Sequence, residues 1–183
     1  MRLIQPSLQN EAVKDGQRHT QAYMSDKYYR LDLKPKDFEG SGTSITQING
    51  LTVMQFDTGE DDLARASVFK PQYWWNGLVD WNFRWATSGT STGAVNATVN
   101  IFSYDLDDDT SNRVTLKTGT FNLTPSGTTD YLQSKTVSGA AAINADADLV
   151  AVVITRNGIS GDTNPNALYL GPSFLEYSPE NVQ

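Results

Sequence analysis

Carboxylates at every second position form the sharpest local pattern of the sequence. Asp105, Asp107 and Asp109 have the spacing of the first three ligands of a calcium-binding loop. A complete loop of the EF-hand kind also has glycine at its sixth position and a bidentate glutamate at its twelfth, where this sequence has Thr110 and Leu116. We therefore predict a solvated acidic loop and no metal site, with weak cation binding at the three aspartates as the alternative.

A second acidic group, Glu60 to Asp62, supplies the other carboxylates that could do chemistry. Two acids at a set separation are enough to hydrolyse a glycosidic bond, so this group and the aspartates of the first loop form a candidate pair. Acids on turns are common on any acidic surface, however. No serine has the surroundings of a nucleophile elbow, and His19 is the sole histidine. We predict no catalytic residues and no enzyme activity.

Aromatic side chains are the remaining candidates for ligand contact, because exposed rings stack on sugar faces whereas buried rings fill sandwich cores. Trp81 and Trp85 alternate with polar residues and are expected in the core. Trp74 and Trp75 are adjacent, and adjacent side chains of an extended chain point to opposite faces. One of these two is therefore predicted to contact a partner or ligand, unless both are covered by the N-terminal residues.

Composition excludes several classes of function. The formal charge is −7 and no basic stripe is visible, which argues against nucleic acid as a partner. The lack of cysteine excludes disulfides and thiolate metal sites, and a single histidine removes most zinc sites and catalytic triads, so no cofactor is expected. No segment has the apolar length of a signal peptide or a membrane helix, and we expect synthesis in the cytoplasm without membrane contact.

The elements that would position these residues are β-strands. Apolar and polar residues alternate most clearly at residues 79–85 and 94–104, and we expect these two strands to pair. Further strands are predicted at residues 51–56, 64–69, 113–121, 130–137, 149–155 and 167–177. Gly171-Pro172 in the last strand predicts a bulge or an edge position. This spacing predicts an all-β fold, an antiparallel, jelly-roll-like β-sandwich, over residues 47–183.

Residues 1–46 differ from the rest and are predicted to form an extended N-terminal arm. Their apolar side chains follow no strand period and are interrupted by turn-forming pairs such as Lys34-Pro35. Such side chains are poor choices for a solvated tail, so we expect them to anchor the chain to a partner, with folding back over the same domain as the alternative. The predicted partner-binding residues are Leu3, Ile4, Leu8, Val13, Tyr23, Met24, Tyr28, Tyr29, Trp74 and Trp75. A chain that begins near Ser44 is expected to fold without the arm.

The order of several segments resembles the sandwich domains of tailed-bacteriophage virion proteins. The matching segments are Phe69 to Tyr73, Val79 to Trp85, the loop Thr90 to Gly93, Ala94 to Tyr104 with its acidic end, and Leu168 to Tyr177. The resemblance covers about residues 69 to 177 and contains no catalytic motif. It implies a structural role in the virion, such as capsid decoration, head fibre or tail component, commonly as a homotrimer. No functional residue carries over from it, and residues 1–45 lie outside it.

Three hypotheses of function follow. The first is a non-catalytic virion protein of a bacteriophage, attached to capsid or tail proteins by its arm, whose sandwich faces outward or packs with copies of itself, as in a trimer. The alternative is a carbohydrate- or receptor-binding module that uses Trp74 or Trp75 as a stacking platform, with the Asp105 to Asp109 loop as a cation site. The third is a glycan-cleaving enzyme that uses both acidic groups.

Overall fold

The structure, a computed structural model, describes residues 29–71, 77–106, 113–144, 146–159 and 161–179. These residues form eleven strands and one 3-10 turn: β1 (Tyr29–Leu33), the 3-10 turn (Pro35–Asp37), β2 (Glu39–Ser41), β3 (Thr43–Ile48), β4 (Leu51–Phe56), β5 (Asp61–Phe69), β6 (Gly77–Thr87), β7 (Val95–Tyr104), β8 (Val114–Leu123), β9 (Gln133–Ser138), β10 (Leu149–Asn157) and β11 (Leu168–Pro179). In these ranges there is no helix long and apolar enough to cross a membrane.

The strands form two antiparallel sheets that pack face to face as a β-sandwich. One sheet has six strands: β3, β4, β11, β6 and β9 lie side by side in that order, and β1 also pairs with β11. The other sheet has five strands, in the order β2, β5, β10, β7 and β8. The chain crosses between the sheets at most of its connections, as in a jelly roll. The predicted all-β sandwich is therefore confirmed.

Alternation along the strands places apolar side chains between the sheets. In β6, Trp81, Phe83 and Trp85 are buried. Asn82 and Arg84 lie between them and face outward. Trp81 has no exposed surface, and its ring centroid lies 4.6 Å from that of Phe83. Burying side chains of this size contributes about 1.5–3 kcal/mol each. The predicted core positions of Trp81 and Trp85 are confirmed.

One expected pairing is wrong. β7 lies between β10 and β8 in the five-stranded sheet, whereas β6 lies between β11 and β9 in the other sheet. Two strands that each bury one face show the same alternation whether they are neighbours in one sheet or face each other across the core. The periodicity of residues 79–85 and 94–104 therefore could not distinguish the two arrangements.

The predicted boundary between arm and sandwich is also wrong, because residues 29–46 belong to the sandwich. β1 pairs with β11 over all five of its residues. Leu33 and Phe38 are buried in the common core. β1 is short and is followed at once by a proline turn, so its alternation does not stand out in the sequence. Residues 1–28 lie outside the described residues, and their anchoring role remains a prediction.

The bulge predicted at Gly171-Pro172 is present in β11. The register of β11 with β6 shifts between Leu170 and Ser173. At the same point β11 changes its other neighbour, from β4 before the bulge to β1 after it. The proline therefore lies where the ladder is interrupted, which agrees with its inability to donate a hydrogen bond.

Candidate functional site

The outer face of the six-stranded sheet carries a groove with a volume of about 810 Å³. Its floor is formed by β1, β11, β6 and β9, and it is bordered by the 3-10 turn and by the turn between β3 and β4. The polar and aromatic residues that face outward along its floor are Arg30, Asp32, Asn82, Arg84, Ser134 and Phe174. A concave site of this size with a few convergent polar groups is typical of ligand-binding sites in proteins.

Strand register determines which side chains share the groove. Phe174 on β11 lies opposite Asp32 on β1 and opposite Asn82 on β6. Two residues further along, β6 places Arg84 opposite Ser134 on β9. Because the side chains between these positions point into the core, the period of two directs the named residues outward. The groove floor is therefore built on the same strands that hold the core.

Hydrogen bonds orient the polar side chains of the floor. Thr136 Oγ1 donates to Asn82 Oδ1 at 2.5 Å, and Asn82 Nδ2 donates to Glu176 Oε2 at 3.3 Å. Arg84 Nη1 donates to the hydroxyl of Ser134. An arginine carries five N–H donors, so the contact with Ser134 positions the guanidinium and leaves donors for a ligand.

The outward aromatic ring of the floor, Phe174, is paired with a cation. The Arg30 guanidinium carbon lies 3.7 Å from the ring centroid, which is a cation–π contact. Arg30 Nε also donates to Asp32 Oδ1 at 2.7 Å. Both charged side chains are about half exposed, so solvent screens the ion pair and its contribution to stability is at most about 1 kcal/mol. The trio places an apolar surface, a donor and an acceptor in one cluster.

Two turns border the groove. The β3–β4 hairpin turns at Asn49-Gly50, where φ angles of 50° and 79° give the left-handed conformation of a two-residue hairpin loop. The 3-10 turn is closed by the backbone N–H of Lys34, which donates to Asp37 Oδ2 at 2.7 Å. Lys34 and Lys36 are thereby held at the border of the groove.

The outer face of the five-stranded sheet has a different character, and we call it the amide–threonine face. It consists of Asn96, Thr98, Asn100, Thr118, Thr120, Asn122 and Asn157, which hydrogen-bond to one another. A smaller depression of about 530 Å³ on the same sheet includes Phe102, Tyr104 and Arg113. The Arg113 guanidinium carbon lies 4.6 Å from the centroid of the Phe102 ring.

A buried ion pair lies apart from both outer faces. Arg156 Nε donates to Asp162 Oδ2 at 2.6 Å, and the two side chains are 0% and 3% exposed. The other guanidinium nitrogens donate to the carbonyls of Phe56 and Asn164 at 3.2 and 3.0 Å. A buried charge is tolerated when it is paired and hydrogen-bonded in this way. The pair therefore joins the β10–β11 loop to β4 and is structural.

The two acidic groups considered for catalysis lie at opposite ends of β10. The start of β5 lies opposite the end of β10, whereas β7, which precedes Asp105, ends opposite its start. β10 is nine residues long and spans about 26 Å at ~3.3 Å per residue, whereas glycosidase carboxylates lie within about 10 Å of each other. The hypothesis that Asp105 acts with Glu60 to Asp62 is therefore wrong. Asp107 and Asp109 lie outside the described residues.

Asp62 has a structural environment. Its side chain is buried and accepts a hydrogen bond from the Asp57 N–H at 2.6 Å. Burial raises the pKa of the Asp62 carboxyl above its usual value, and the charges of Asp57 and Glu60 act in the same direction; the hydrogen bond from Asp57 and the charge of Arg156 oppose them. Among the described residues, no three or more His, Cys, Asp or Glu side chains form a group that could hold a metal ion.

Of the predicted partner-binding residues, Tyr29 alone lies within the described ranges, so the prediction for the others is not tested. Tyr29 begins β1 and pairs with β11 through its backbone. The following residues, singled out in the sequence analysis, lie outside the described ranges: Leu3, Ile4, Leu8, Val13, His19, Tyr23, Met24, Tyr28, Trp74 and Trp75. The groove residues Arg30, Arg84 and Phe174 were not predicted. Alternation assigns Arg84 to an outer face, but any solvated sheet face shows the same pattern, so the sequence does not mark it as a site.

No protein-family model matches the sequence, and no curated protein matches it either. The fold is similar to solved carbohydrate-binding modules. A family 35 carbohydrate-binding module from Clostridium thermocellum aligns with a TM-score of 0.56 and 11% identity, covering 80% of this chain and 96% of that chain. The family 35 module of Cellvibrio japonicus Abf62 gives a TM-score of 0.52 and 10% identity, covering 82% and 98%.

A third similar structure contains an enzyme as well as a binding module. The CBM22-1 and GH10 modules of endo-1,4-beta-D-xylanase 10B from Clostridium thermocellum, complexed with xylohexaose, align with a TM-score of 0.53 and 12% identity over 86% of this chain and 29% of that chain. At such identities the three similarities concern architecture. They establish that this chain has the β-sandwich fold found in carbohydrate-binding modules.

Proposed function

We propose that this chain is a non-catalytic glycan-binding module and that the groove on its six-stranded sheet is the binding site. The observation that carries the proposal is the groove itself, because its volume of about 810 Å³ is combined with an aromatic ring and with polar groups held by hydrogen bonds. Ligand sites usually measure about 300–1,000 Å³. The fold shared with carbohydrate-binding modules supports the proposal.

The groups on the floor match the chemistry of a sugar. A pyranose presents hydroxyl groups that donate and accept hydrogen bonds, together with an apolar face of C–H groups. Asn82 offers an amide and Arg84 offers guanidinium donors, while the part of the Phe174 ring that the Arg30 guanidinium leaves uncovered supplies apolar surface. Because intramolecular contacts already orient these side chains, binding costs little of their conformational entropy.

Binding without cleavage follows from the acids of the groove. Hydrolysis of a glycosidic bond usually requires two carboxyl groups that flank the bond. Among the described residues that line the groove, Asp32 is the one acid, and it is already paired with Arg30. We therefore expect the chain to retain polysaccharides without releasing sugars from them.

Affinity electrophoresis on a panel of polysaccharides, followed by calorimetric titration with oligosaccharides of the strongest one, tests the proposal. Phe174→Ala and Asn82→Ala should each weaken binding about tenfold, which corresponds to about 1.4 kcal/mol for the loss of ring contact or of a hydrogen-bonding group. Thr118→Ala, on the amide–threonine face, is the matched control and should bind as the unaltered chain does. Failure to bind any polysaccharide would contradict the proposal. If both groove variants bound as the unaltered chain does, the binding site would lie outside the groove.

We further propose a location, which rests on the resemblance to bacteriophage virion domains. A glycan-binding module on a capsid or tail would hold the particle to a cell-surface polysaccharide, with residues 1–28 attached to another virion protein and the chains associated as trimers. A cryo-EM map of the particle and the molar mass of the purified chain test this proposal. A monomeric chain that is missing from the particle would contradict it.

A further inference from the structure

Basic side chains are concentrated in the groove of an otherwise acidic chain. The sequence has 21 acidic and 14 basic residues. The charged residues that line the groove are Arg30, Asp32, Lys34, Lys36, Arg84 and Lys135. The residues that line the groove therefore carry a net positive charge, whereas the chain as a whole is negative. A positively charged lining attracts anionic ligands.

Three of these cations have no carboxylate partner in the part of the chain that the structure describes. The ion pairs found there join Arg30 to Asp32, Arg65 to Glu39 and Arg156 to Asp162. The ammonium group of Lys135 lies 4.8 Å from the centroid of the Phe121 ring, so its charge is directed to that ring. Lys34, Lys36 and Arg84 remain without an ion pair there, and the carboxylate of the same turn, Asp37, accepts from the backbone N–H of Lys34 at 2.7 Å.

We propose that the groove binds an anionic glycan, whose sugar units carry carboxylate or sulfate groups. This inference rests on glycan binding by the groove and adds the class of glycan. Arg84 presents a planar fork of N–H donors, which matches two oxygens of one carboxylate or sulfate group. Lys34 and Lys36 add two point charges at the border, where they attract a further anionic unit of the same polymer.

The pair formed by Arg30 and Asp32 fits the same ligand. An unpaired aspartate on the floor would repel an anionic sugar. Arg30 Nε lies 2.7 Å from Asp32 Oδ1 and therefore neutralises that charge, while its guanidinium covers part of the Phe174 ring. Asp32 is thus compensated within the chain, and the Glu176 carboxylate beside the floor accepts from Asn82 Nδ2 at 3.3 Å, whereas Arg84 is bonded only to a neutral hydroxyl among the described residues.

A glycan suits the groove better than the other common polyanion, nucleic acid. The net charge of −7 opposes the approach of a phosphate backbone, which binds to proteins largely through net basic surfaces. Proteins that bind single-stranded nucleic acid stack successive bases on several aromatic rings, whereas Phe174 is the one outward ring on the described floor. The test must therefore distinguish binding of nucleic acid from binding of an anionic glycan.

Pairs of polysaccharides that differ in charge test the inference with the full-length chain. Polygalacturonate is compared with its methyl-esterified form, and dextran sulfate with dextran, in a panel that also contains hyaluronan, alginate and neutral xylan and galactan. We expect at least about a tenfold preference for the charged member of one pair, and a loss of this preference between about 0.05 and 0.5 M sodium chloride, because salt screens exposed charges. The two pairs distinguish carboxylate from sulfate recognition.

Three variants locate the anionic contact. Arg84→Gln should weaken binding of the charged polymer about tenfold, and that of the neutral member of the pair by a smaller factor, because a neutral sugar loses hydrogen-bond donors but no charge contact. The double variant Lys34→Gln, Lys36→Gln alters only two exposed side chains of the 3-10 turn, so it should weaken binding without any change in the sheet. Arg113→Gln removes a cation from the five-stranded sheet and is the matched control, for which binding should not change.

Each remaining outcome would overturn a stated part of the inference. Equal or stronger binding of the uncharged members would remove the anionic preference and leave glycan binding by the groove in place. Retention of no polysaccharide in the panel would remove both the inference and the proposed function. Binding of a single-stranded oligonucleotide as strong as that of the best glycan would identify a general polyanion site and overturn the assignment to a glycan.

Discussion

The two outer faces of the sandwich are both polar, yet they differ in how far their side chains satisfy one another. On the amide–threonine face, the side-chain amide of Asn157 donates to Asn96 at 2.6 Å and to Thr98 at 2.9 Å. In the groove, Arg84 donates to one hydroxyl, and the two lysines of the border have no acid partner among the described residues. The amides and hydroxyls of the first face bond mainly to one another, whereas the groove also carries cations that form no ion pair among the described residues.

This difference shows that polar content alone does not mark a binding surface. Strand alternation produces both faces, because each is the reverse side of an apolar layer. Cross-strand pairs that bond to each other contribute about 0.2–1 kcal/mol to the sheet, and they offer few donors or acceptors to a ligand. Side chains with unused donors that line a recess are the ones that a ligand can satisfy.

Removal of one side of the groove is expected to have the largest effect. A chain shortened to begin at Ser44 loses β1, the 3-10 turn and β2, and with them the buried side chains of Leu33 and Phe38. Losing side chains of this kind costs about 2–5 kcal/mol each, whereas a whole domain is stable by only about 5–15 kcal/mol. We therefore expect this chain to lose its cooperative thermal transition in circular dichroism, in contrast to what the sequence suggested.

A chain that begins at Tyr29 is the matched control for this truncation, because it keeps β1, the 3-10 turn and β2 with the buried side chains of Leu33 and Phe38. It should keep a cooperative thermal transition. If the chain that begins at Ser44 also kept its melting temperature, β1 and β2 would be dispensable and the predicted domain boundary would be restored.

The strands that the sequence predicts are those whose alternation is long enough to be distinctive. Residues 79–85 predicted β6, because large apolar side chains occupy every second position of a strand that is eleven residues long. β1 and β2 have only five and three residues, and at such lengths a period of two cannot be told from chance. These strands are stabilised by pairing with β11 and β5, which are distant in the sequence.

The groove was harder to predict from the sequence, because it is formed by strands that pair over long distances in the chain. Alternation assigns Asn82 and Arg84 to an outer face, but it does not tell which strands lie beside them. Pairing of β1 with β11 and of β11 with β6 brings Asp32, Phe174 and Asn82 into one row. No local pattern encodes that row. The sequence likewise shows no basic stripe, because the cations of the groove come from segments that are far apart in the chain.

Beneath the groove, Trp81→Ala is expected to have the second largest effect. The side chain is fully buried, so its loss removes apolar contacts and leaves a cavity that costs about 3–5 kcal/mol. Asn82→Ala, at the next position, should lower the free energy of unfolding by only about 1–2 kcal/mol, because it removes two hydrogen bonds of an outward side chain. Urea unfolding measures both values. A loss below about 1 kcal/mol for Trp81→Ala would mean that the indole does not fill the core.

The smallest effect is expected on the amide–threonine face, where side chains satisfy one another. Asn157→Ala removes two hydrogen bonds, of 2.6 and 2.9 Å, and each contributes about 0.5–1.5 kcal/mol, so the free energy of unfolding should fall by about 1–2 kcal/mol. Asn122→Ala removes one exposed bond of 2.8 Å and should cost about half as much. Neither variant should change glycan binding, because this face lies across the sandwich from the groove. If either variant weakened binding as much as Phe174→Ala does, the glycan would contact the amide–threonine face. Hydrogen bonding among the side chains of a face would then not prevent that face from binding a ligand.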